Sequence, residues 1–213
     1  MRFRDRVDAG QQLAARLEQL PTNNLVAVGM PRGGVPVAAQ VALALGIPLD
    51  VVLVRKLGVP SHPELAMGAI GEDGVRFIDD RTVEALHISP DEIARVEQME
   101  RVELQRRGEM YRRGSPRLAI EHKTVVVVDD GMATGASARV ACRVVRAQGA
   151  LRIVLGVPIA PPGWEDVMSS EADEFVAVAV RNFRAVGDLY DDFRPTSDAE
   201  VVRCLERARL RSV

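Results

Sequence analysis

The sequence predicts an α/β fold built on a three-layer, open and mainly parallel sheet, and two observations support this prediction. The candidate strands, such as LVAVGM at 25–30 and TVVVVDD at 124–130, are apolar at successive positions, so both faces of each strand are buried. The strands also alternate with segments whose apolar residues have helical spacing. Buried strands separated by helices form a parallel sheet that helices cover on both sides.

The first half of the chain supplies two strands with their helices and then a hairpin. Apolar residues with helical spacing predict a helix at about 5–20, ahead of the first strand. A second helix opens at Gly33 and Gly34 and closes at Gly46, and DVVLVRK at 50–56 is the second strand. MGAI and VRFI are short strands separated by the turn signal GEDG, which predicts a hairpin.

The second half begins with a densely charged helix at 89–113, predicted as part of an insertion at about 79–115. Its apolar positions are few, so it is expected to be mostly solvated or to pack by one narrow stripe. A helix at 136–150 follows the valine strand, and LRIVLGVPIA and EFVAVAV are the last two strands. The closing helix at 197–209 has Ser197 as its predicted N-cap.

Composition and charge favour one soluble domain at 1–213, with a core at about 24–180. Hydrophobic residues make up 47% of the 213 residues and charged residues 27%. A net charge of −2 gives no electrostatic footprint for nucleic acid, so no such partner is expected. No apolar run reaches the roughly 20 residues of a membrane helix. The 2 cysteines lack metal-ligand spacing and are interpreted as free thiols. Because MRFRDRVDAG also lacks a signal-peptide core, a cytoplasmic location is expected.

The stretch VVVVDDGMATGASA at 125–138 carries the strongest functional signal. Asp129 and Asp130 stand at the end of a buried strand, which is where ligands bind in a parallel sheet. The small residues that follow let backbone N–H groups converge on one anion, and a helix beginning near Ala136 adds its positive end. Since a carboxylate only accepts hydrogen bonds, the two acids suit vicinal hydroxyls on the same ligand. The pattern therefore favours a phosphorylated ribose.

A plain turn after a strand is the alternative, because aspartate and glycine are common turn residues. It explains DDG but not the whole of DDGMATGAS. No lysine follows the loop as in a P-loop, and the dinucleotide pattern G-x-G-x-x-G is absent. The ribose-phosphate interpretation is favoured.

VVVVDDGMATGAS closely resembles the signature of the type I phosphoribosyltransferases, which use phosphoribosyl diphosphate (PRPP). The resemblance spans about 26–180. It implies that Asp129 and Asp130 are the catalytic acids, which hold the ribose diol and contact Mg²⁺ through water. The loop after them is then expected to bind the 5′-phosphate. That loop consists of Ala133, Thr134, Gly135, Ala136 and Ser137.

A second motif, GMPRGGVPVA at 29–38, follows the first strand and resembles the family's pyrophosphate loop. The resemblance implies that Arg32, Gly33 and Gly34 bind the diphosphate. The physics agrees, because a glycine pair at a helix start with a cation beside it suits an anion. The resemblance also implies a strained non-proline peptide bond entering Arg32, which can be cis.

A third segment, VRKLGVPSHPELAMGAIG, follows the second strand. The resemblance implies that Arg55 and Lys56 reach the diphosphate, and a solvated pair of cations is the alternative. GVPSHPE has a glycine and two prolines and is predicted to form a mobile flap. His62 in this flap is interpreted as a surface histidine.

The resemblance implies a PRPP-dependent, Mg²⁺-assisted pentosyltransferase of nucleotide metabolism. It would move ribose 5-phosphate to a nitrogen acceptor, a nucleobase-like heterocycle, and release diphosphate. A small C-terminal hood at about 181–213 would cover the acceptor, with Phe183 and Tyr190 either stacking on it or forming the hood's own core. Two other functions remain open: a non-catalytic regulator that senses PRPP, and a hydrolase acting on PRPP or a phosphosugar. The identity of the acceptor and the formation of a homodimer are left open.

Overall fold

The computed structural model describes residues 2–210, and within that range the chain forms two β-sheets and seven α-helices. The strands are β1 Leu25–Gly29, β2 Leu49–Val51, β3 Val54–Val59, β4 His62–Gly71, β5 Arg76–Ile78, β6 Thr124–Val128, β7 Arg152–Ala160 and β8 Glu174–Val180. The helices are α1 Arg6–Leu17, α2 Gly34–Leu45, α3 Asp80–Ala85, α4 Pro90–Arg112, α5 Ala136–Ala147, α6 Trp164–Met168 and α7 Asp198–Arg209. None of these helices is long and apolar enough to cross a bilayer.

The main sheet has five parallel strands in the order β2-β1-β6-β7-β8, which confirms the predicted α/β class. Strand β1 pairs with the central strand β6, with Val26 beside Val125 and Gly29 beside Val128. The order of the strands changes direction between β1 and β6, because β2 lies on one side of β1 and the later strands lie on the other. In such sheets ligands bind in the crevice outside the carboxyl ends of the strands at this reversal.

The four consecutive valines of β6 are needed because both faces of the sheet are covered. Val125 and Val127 belong to the hydrophobic cluster that contains the buried side chains of α5. Val126 and Val128 belong to the cluster on the other face, which contains buried side chains of α1, α2 and α7. Successive side chains of a strand point to opposite faces, so a strand between two helical layers is apolar at every position.

The predicted strand at 50–56 is wrong as a single strand, because the chain breaks it at Val52 and Leu53. The first part, β2, pairs with β1 in the main sheet, whereas β3 pairs with β4 in a second, antiparallel sheet of order β3-β4-β5. A buried Arg112 binds the carbonyl of Val51, and Glu72 accepts from the N–H of Leu53. These contacts satisfy the backbone where the chain leaves the main sheet.

The MGAI and VRFI hairpin is confirmed, since β4 and β5 pair with Ile70 beside Arg76. However, β4 begins at His62, so the segment predicted as a flap forms a second hairpin, in which Val59 pairs with His62. The side chains at 60–65 are exposed at the tip of this hairpin. The expectation that His62 lies on the surface agrees with this position.

The charged helix of the predicted insertion is α4. Ser89 begins it with a capping box, in which its hydroxyl accepts from the N–H of Glu92 and its own N–H donates to the Glu92 carboxylate. Ile93 is buried near its start, whereas Met99 and Val102 are exposed. The narrow packing stripe agrees with the prediction. The short helix α3 within the same insertion was not predicted.

The predicted C-terminal hood consists of two structural parts, and its residues 211–213 lie outside the described residues. One part is a 3-10 helix, Val186–Leu189, with the residues after it, and these pair with the N-terminal segment. Phe3 donates its N–H to the carbonyl of Leu189 and accepts from the N–H of Asp191, at 2.8 Å each. The other part is α7, which packs against α2 and α4.

Candidate functional site

The segments that follow β1 and β6 lie side by side at one edge of the main sheet. We refer to residues 31–34 as the PRGG loop and to residues 133–137 as the ATGAS loop. The N–H of Met30 donates to the carbonyl of Val128 at 2.9 Å, which joins the ends of the two strands. Asp129 and Asp130, called the acid pair below, follow immediately. The fold thus brings both predicted anion loops next to the two acids.

Two glycines allow the PRGG loop to touch the acid pair. A Cβ atom at Gly34 would lie 2.5 Å from the carbonyl oxygen of Val128 and 2.8 Å from the Cα of Asp129. A Cβ atom at Gly33 would overlap the Oδ2 atom of Asp130. At Gly34 the close atoms belong to the backbone, so only glycine fits there, whereas a side chain at Gly33 would displace the Asp130 carboxylate. The peptide bond between Pro31 and Arg32 is cis, a form that the family resemblance allows.

The carboxylates of the acid pair are largely withdrawn from water. Burial raises the pKa of Asp129 well above its usual value, and the negative charge of Asp130 raises it further. Burial also raises the pKa of Asp130, and the Arg6 guanidinium opposes that rise. The Oδ1 atom of Asp129 accepts from the N–H of Asp130 at 2.9 Å. A ligand that donates hydrogen bonds here, or a cation, would stabilise this concentration of negative charge.

The ATGAS loop presents the start of α5. Its central residue, Gly135, has a φ of +76° and is the N-cap of the helix, so no side chain caps it. The first backbone N–H groups of a helix have no partner within the helix and carry the positive end of its dipole. Ala133, Thr134, Ala136 and Ser137 are exposed. The loop therefore has the geometry of an anion site.

The two predicted cations of β3 have different surroundings. Lys56 is exposed and lies with Pro31 and Ser137 on a cleft of about 250 Å³ between the second sheet and α5. Arg55 instead binds Glu100 of α4 at 2.6 Å. Neighbouring residues of a strand point to opposite faces, so only one of them can share this cleft. The structure brings Lys56 to the cleft, where its Nζ atom donates to the carbonyl oxygen of Glu64 at 2.9 Å, whereas Arg55 forms its ion pair with α4.

The hood aromatics occupy a small hydrophobic cluster with Phe3, Ile159 and Leu189. Tyr190 is only 2% exposed, and its hydroxyl donates to the carbonyl oxygen of Asp130 at 2.6 Å. Such a ring offers no open face to a ligand, so Tyr190 fits the alternative that it belongs to the hood's core. Phe183 is half-buried at the border of the same cluster.

Sequence reasoning missed Arg6 as a site residue. Its guanidinium contacts Asp130 at 2.8 Å and lies 4.0 Å from the centre of the Phe193 ring. Arg6 and Asp130 are 124 positions apart, so no local spacing could connect them. The run FRDR near the chain start is visible in the sequence, but only the fold places its last residue, Arg6, beside the acid pair.

The acid pair is the part of this site with chemistry suited to a divalent cation. Among residues 2–210, no three His, Cys, Asp or Glu side chains form a metal-binding group. Mg²⁺ often takes one or two carboxylates from the protein and its remaining ligands from substrate oxygens and water. Two adjacent carboxylates beside two anion loops fit such an ion.

Comparisons with known proteins agree with this geometry. The model of the family "Phosphoribosyl transferase domain" matches residues 4–193. Proteins of two Mycobacterium tuberculosis strains, CDC 1551 / Oshkosh and H37Rv, are each 52% identical over 207 residues, and each is named a "Putative phosphoribosyl transferase". These matches cover 97% of the chain but 47% of each relative, so the chain spans about half their length. TT1426 from Thermus thermophilus is 43% identical in sequence to this chain. Its crystal structure matches with a TM-score of 0.83 over 97% of this chain and 99% of that chain.

Proposed function

The chain belongs to the phosphoribosyl transferase domain family, and on that premise we propose that it transfers the ribose 5-phosphate of PRPP to a nitrogen acceptor. The observation that carries the proposal is the contact between the PRGG loop and the acid pair at the reversal point of the sheet. Two anion loops and two carboxylates meet there, as a ligand with two phosphate ends and a diol between them requires.

Each part of the site has a role in holding PRPP. The acid pair accepts hydrogen bonds from the two ribose hydroxyls. The ATGAS loop and the start of α5 bind the 5′-phosphate through backbone N–H groups. The PRGG loop binds the diphosphate, with Arg32 and Lys56 as exposed cations beside it. Arg55 has no part in this arrangement while Glu100 holds it.

The reaction breaks the bond between the ribose C1 atom and the diphosphate oxygen, and the electron pair leaves with the diphosphate. Positive charge develops on the ribose ring, the acceptor nitrogen bonds to C1, and the acceptor releases a proton. The protein contributes a fixed ribose, a grip on the departing charge and a site from which water is excluded. Mg²⁺, when bound, would neutralise part of the diphosphate charge through its contacts with substrate oxygens.

Release of diphosphate from PRPP, with and without a panel of nitrogen heterocycles, tests the proposed function. A transferase releases diphosphate only with particular acceptors. Release that does not depend on any acceptor would identify a hydrolase instead, and binding of PRPP without release would identify a sensor. The Asp129→Asn, Asp130→Asn double variant is the control, because its release should fall to background.

The acceptor is proposed to bind beside Phe183, because it must reach C1 from the side opposite the departing diphosphate. Phe183 follows β8 and keeps part of its ring outside the hood's core. Stacking on an aromatic ring contributes about 1–3 kcal/mol per base. Phe183→Ala is therefore expected to raise the KM of the acceptor about tenfold and to leave the KM of PRPP nearly unchanged.

Phe183→Leu separates stacking from packing, since leucine keeps apolar volume but has no flat face. If the leucine variant keeps the acceptor KM of the unaltered enzyme, Phe183 contributes packing only. Tyr190→Phe serves as a second comparison. It removes only the hydroxyl that binds the Asp130 carbonyl, and its ring remains buried.

A further inference from the structure

Arg6 links three parts of the molecule that are distant in sequence. Its Nε and Nη2 atoms each lie 2.8 Å from the Oδ2 atom of Asp130. Its Nη1 atom donates to the carbonyl oxygen of Arg194 at 2.8 Å, and its Cζ atom lies over the Phe193 ring, 4.0 Å from the ring centre. The side chains of Arg6 and Asp130 are only 12% and 16% exposed. Each of the three guanidinium nitrogens thus has a hydrogen-bond or ion-pair partner, and the side chain is largely shielded from solvent.

The N-terminal segment that carries Arg6 is held in place by the hood. Besides the pairing of Phe3 with residues 189 and 191, the N–H of Asp192 donates to the carbonyl of Arg4 at 2.9 Å. The Asp5 side chain accepts from the N–H of Asp8 and starts α1 at Arg6. Arg6 therefore stands on the first turn of a capped helix, which fixes its backbone relative to the acid pair.

The position of Arg6 also involves the PRGG loop. A Cβ atom at Gly33 would lie 3.1 Å from the Nε atom of Arg6, so the guanidinium lies directly against this loop. Both of its bonds to Asp130 fall on Oδ2, and Oδ1 is not used by Arg6. Hydrogen bonds between a guanidinium and a carboxylate are directional and roughly twice as strong as neutral ones. They hold the carboxylate plane in one orientation.

We propose that Arg6 is a positioning residue for PRPP: it fixes the Asp130 carboxylate through Oδ2 so that Oδ1 is presented to a ribose hydroxyl. This role rests on the proposed function, because it requires that PRPP binds at the acid pair. The hood is proposed to cover the acceptor, and it would also position Arg6, because its backbone and Phe193 contact the guanidinium. The N-terminal segment becomes part of the substrate site.

The test measures PRPP affinity by calorimetry in the presence of Mg²⁺ for Arg6→Gln, Arg6→Lys and a matched control, Arg4→Gln. Arg4 lies on the same segment, but its side chain is 77% exposed and pairs with Asp8. Arg6→Gln is expected to weaken PRPP binding about tenfold to a hundredfold, since it removes charge-assisted hydrogen bonds to Asp130. Arg6→Lys should restore part of that loss, because it keeps a cation, and Arg4→Gln should bind within about twofold of the unaltered protein.

A double-mutant cycle distinguishes positioning from folding. If Arg6 acts through Asp130, the Arg6→Gln effect should largely disappear in a protein that already carries Asp130→Asn. Thermal unfolding of the ligand-free variants shows whether each remains folded. Unchanged affinity in Arg6→Gln, or an equal loss in the Asp130→Asn background, would overturn the role of Arg6 alone. Failure of the unaltered protein to bind PRPP would overturn the proposed function, and the role of Arg6 with it.

Discussion

Replacing both Asp129 and Asp130 with Asn is expected to abolish the stabilisation of the folded protein by Mg²⁺ and PRPP. At a ligand concentration one hundred times the dissociation constant, binding stabilises the unaltered protein by about 2.7 kcal/mol. For a chain of this size that raises the melting temperature by roughly 5–10 °C. The double variant should lose most of this shift, because amides would replace the carboxylates that are proposed to accept from the ribose diol. Thermal unfolding with and without ligand is the measurement.

The control for this experiment uses acids in the hood that lie outside the acid pair. Asp188 and Asp191 are exposed, so Asp188→Asn with Asp191→Asn should keep the full ligand-dependent shift. A full shift in the Asp129, Asp130 variant would instead contradict the proposal that the acid pair binds the ribose diol.

The single variant Asp129→Asn tests whether a loss of ligand binding can occur without a loss of folding stability. Burial raises the pKa of the Asp129 carboxyl above its usual value of 3.8, so the folded state binds this proton more tightly than the unfolded chain. Stability from this group is therefore present at low pH and is lost as pH rises through the raised pKa. At neutral pH the ligand-free Asp129→Asn protein is expected to melt at or above the temperature of the unaltered protein. The difference should shrink as pH falls toward 3.8.

Arg112→Met is expected to produce the largest loss of stability, about 3–5 kcal/mol. Arg112 is buried at the end of α4, where it binds Glu72 at 2.6 Å and Asp50 at 3.3 Å. It also donates to the carbonyl of Val51 at 3.1 Å. Methionine fills similar volume but leaves two buried carboxylates with much less positive charge beside them. Denaturant unfolding measures the difference.

Arg113→Met is the matched control, because Arg113 is the next residue and its ion pair with Glu206 is exposed. Exposed pairs contribute about 0–1 kcal/mol, so this variant should be close to the unaltered protein. If Arg112→Met lost as little stability as Arg113→Met, the network around Glu72 would not be what stabilises the break between β2 and β3. The same comparison bears on the site, because β3 carries Lys56 to the cleft.

The sequence by itself determined the main elements, because the signals for them are local. The valines of β6, the glycines that open α2 and the Ser197 cap of α7 each act within a few residues of their own position. The parallel-sheet rule then placed the PRGG loop and the acid pair at the same edge. That prediction needed no long-range contact, since the carboxyl ends of parallel strands always meet.

Only the tertiary structure decided which side chains share that edge. Arg55 and Lys56 look equivalent in the sequence, but Glu100 of α4 holds the first and leaves the second on the cleft. The sequence alone left open whether Tyr190 is a stacking surface. In the structure its ring is buried and its hydroxyl donates to the Asp130 carbonyl.

The break in the strand at 50–56 and the partnership of Arg6 have the same origin. The first depends on Arg112 and Glu72, and the second on a carboxylate 124 residues away. Periodicity and capping depend only on interactions between residues that are close in sequence. The energy of a buried charge depends on which opposite charge the completed fold places beside it.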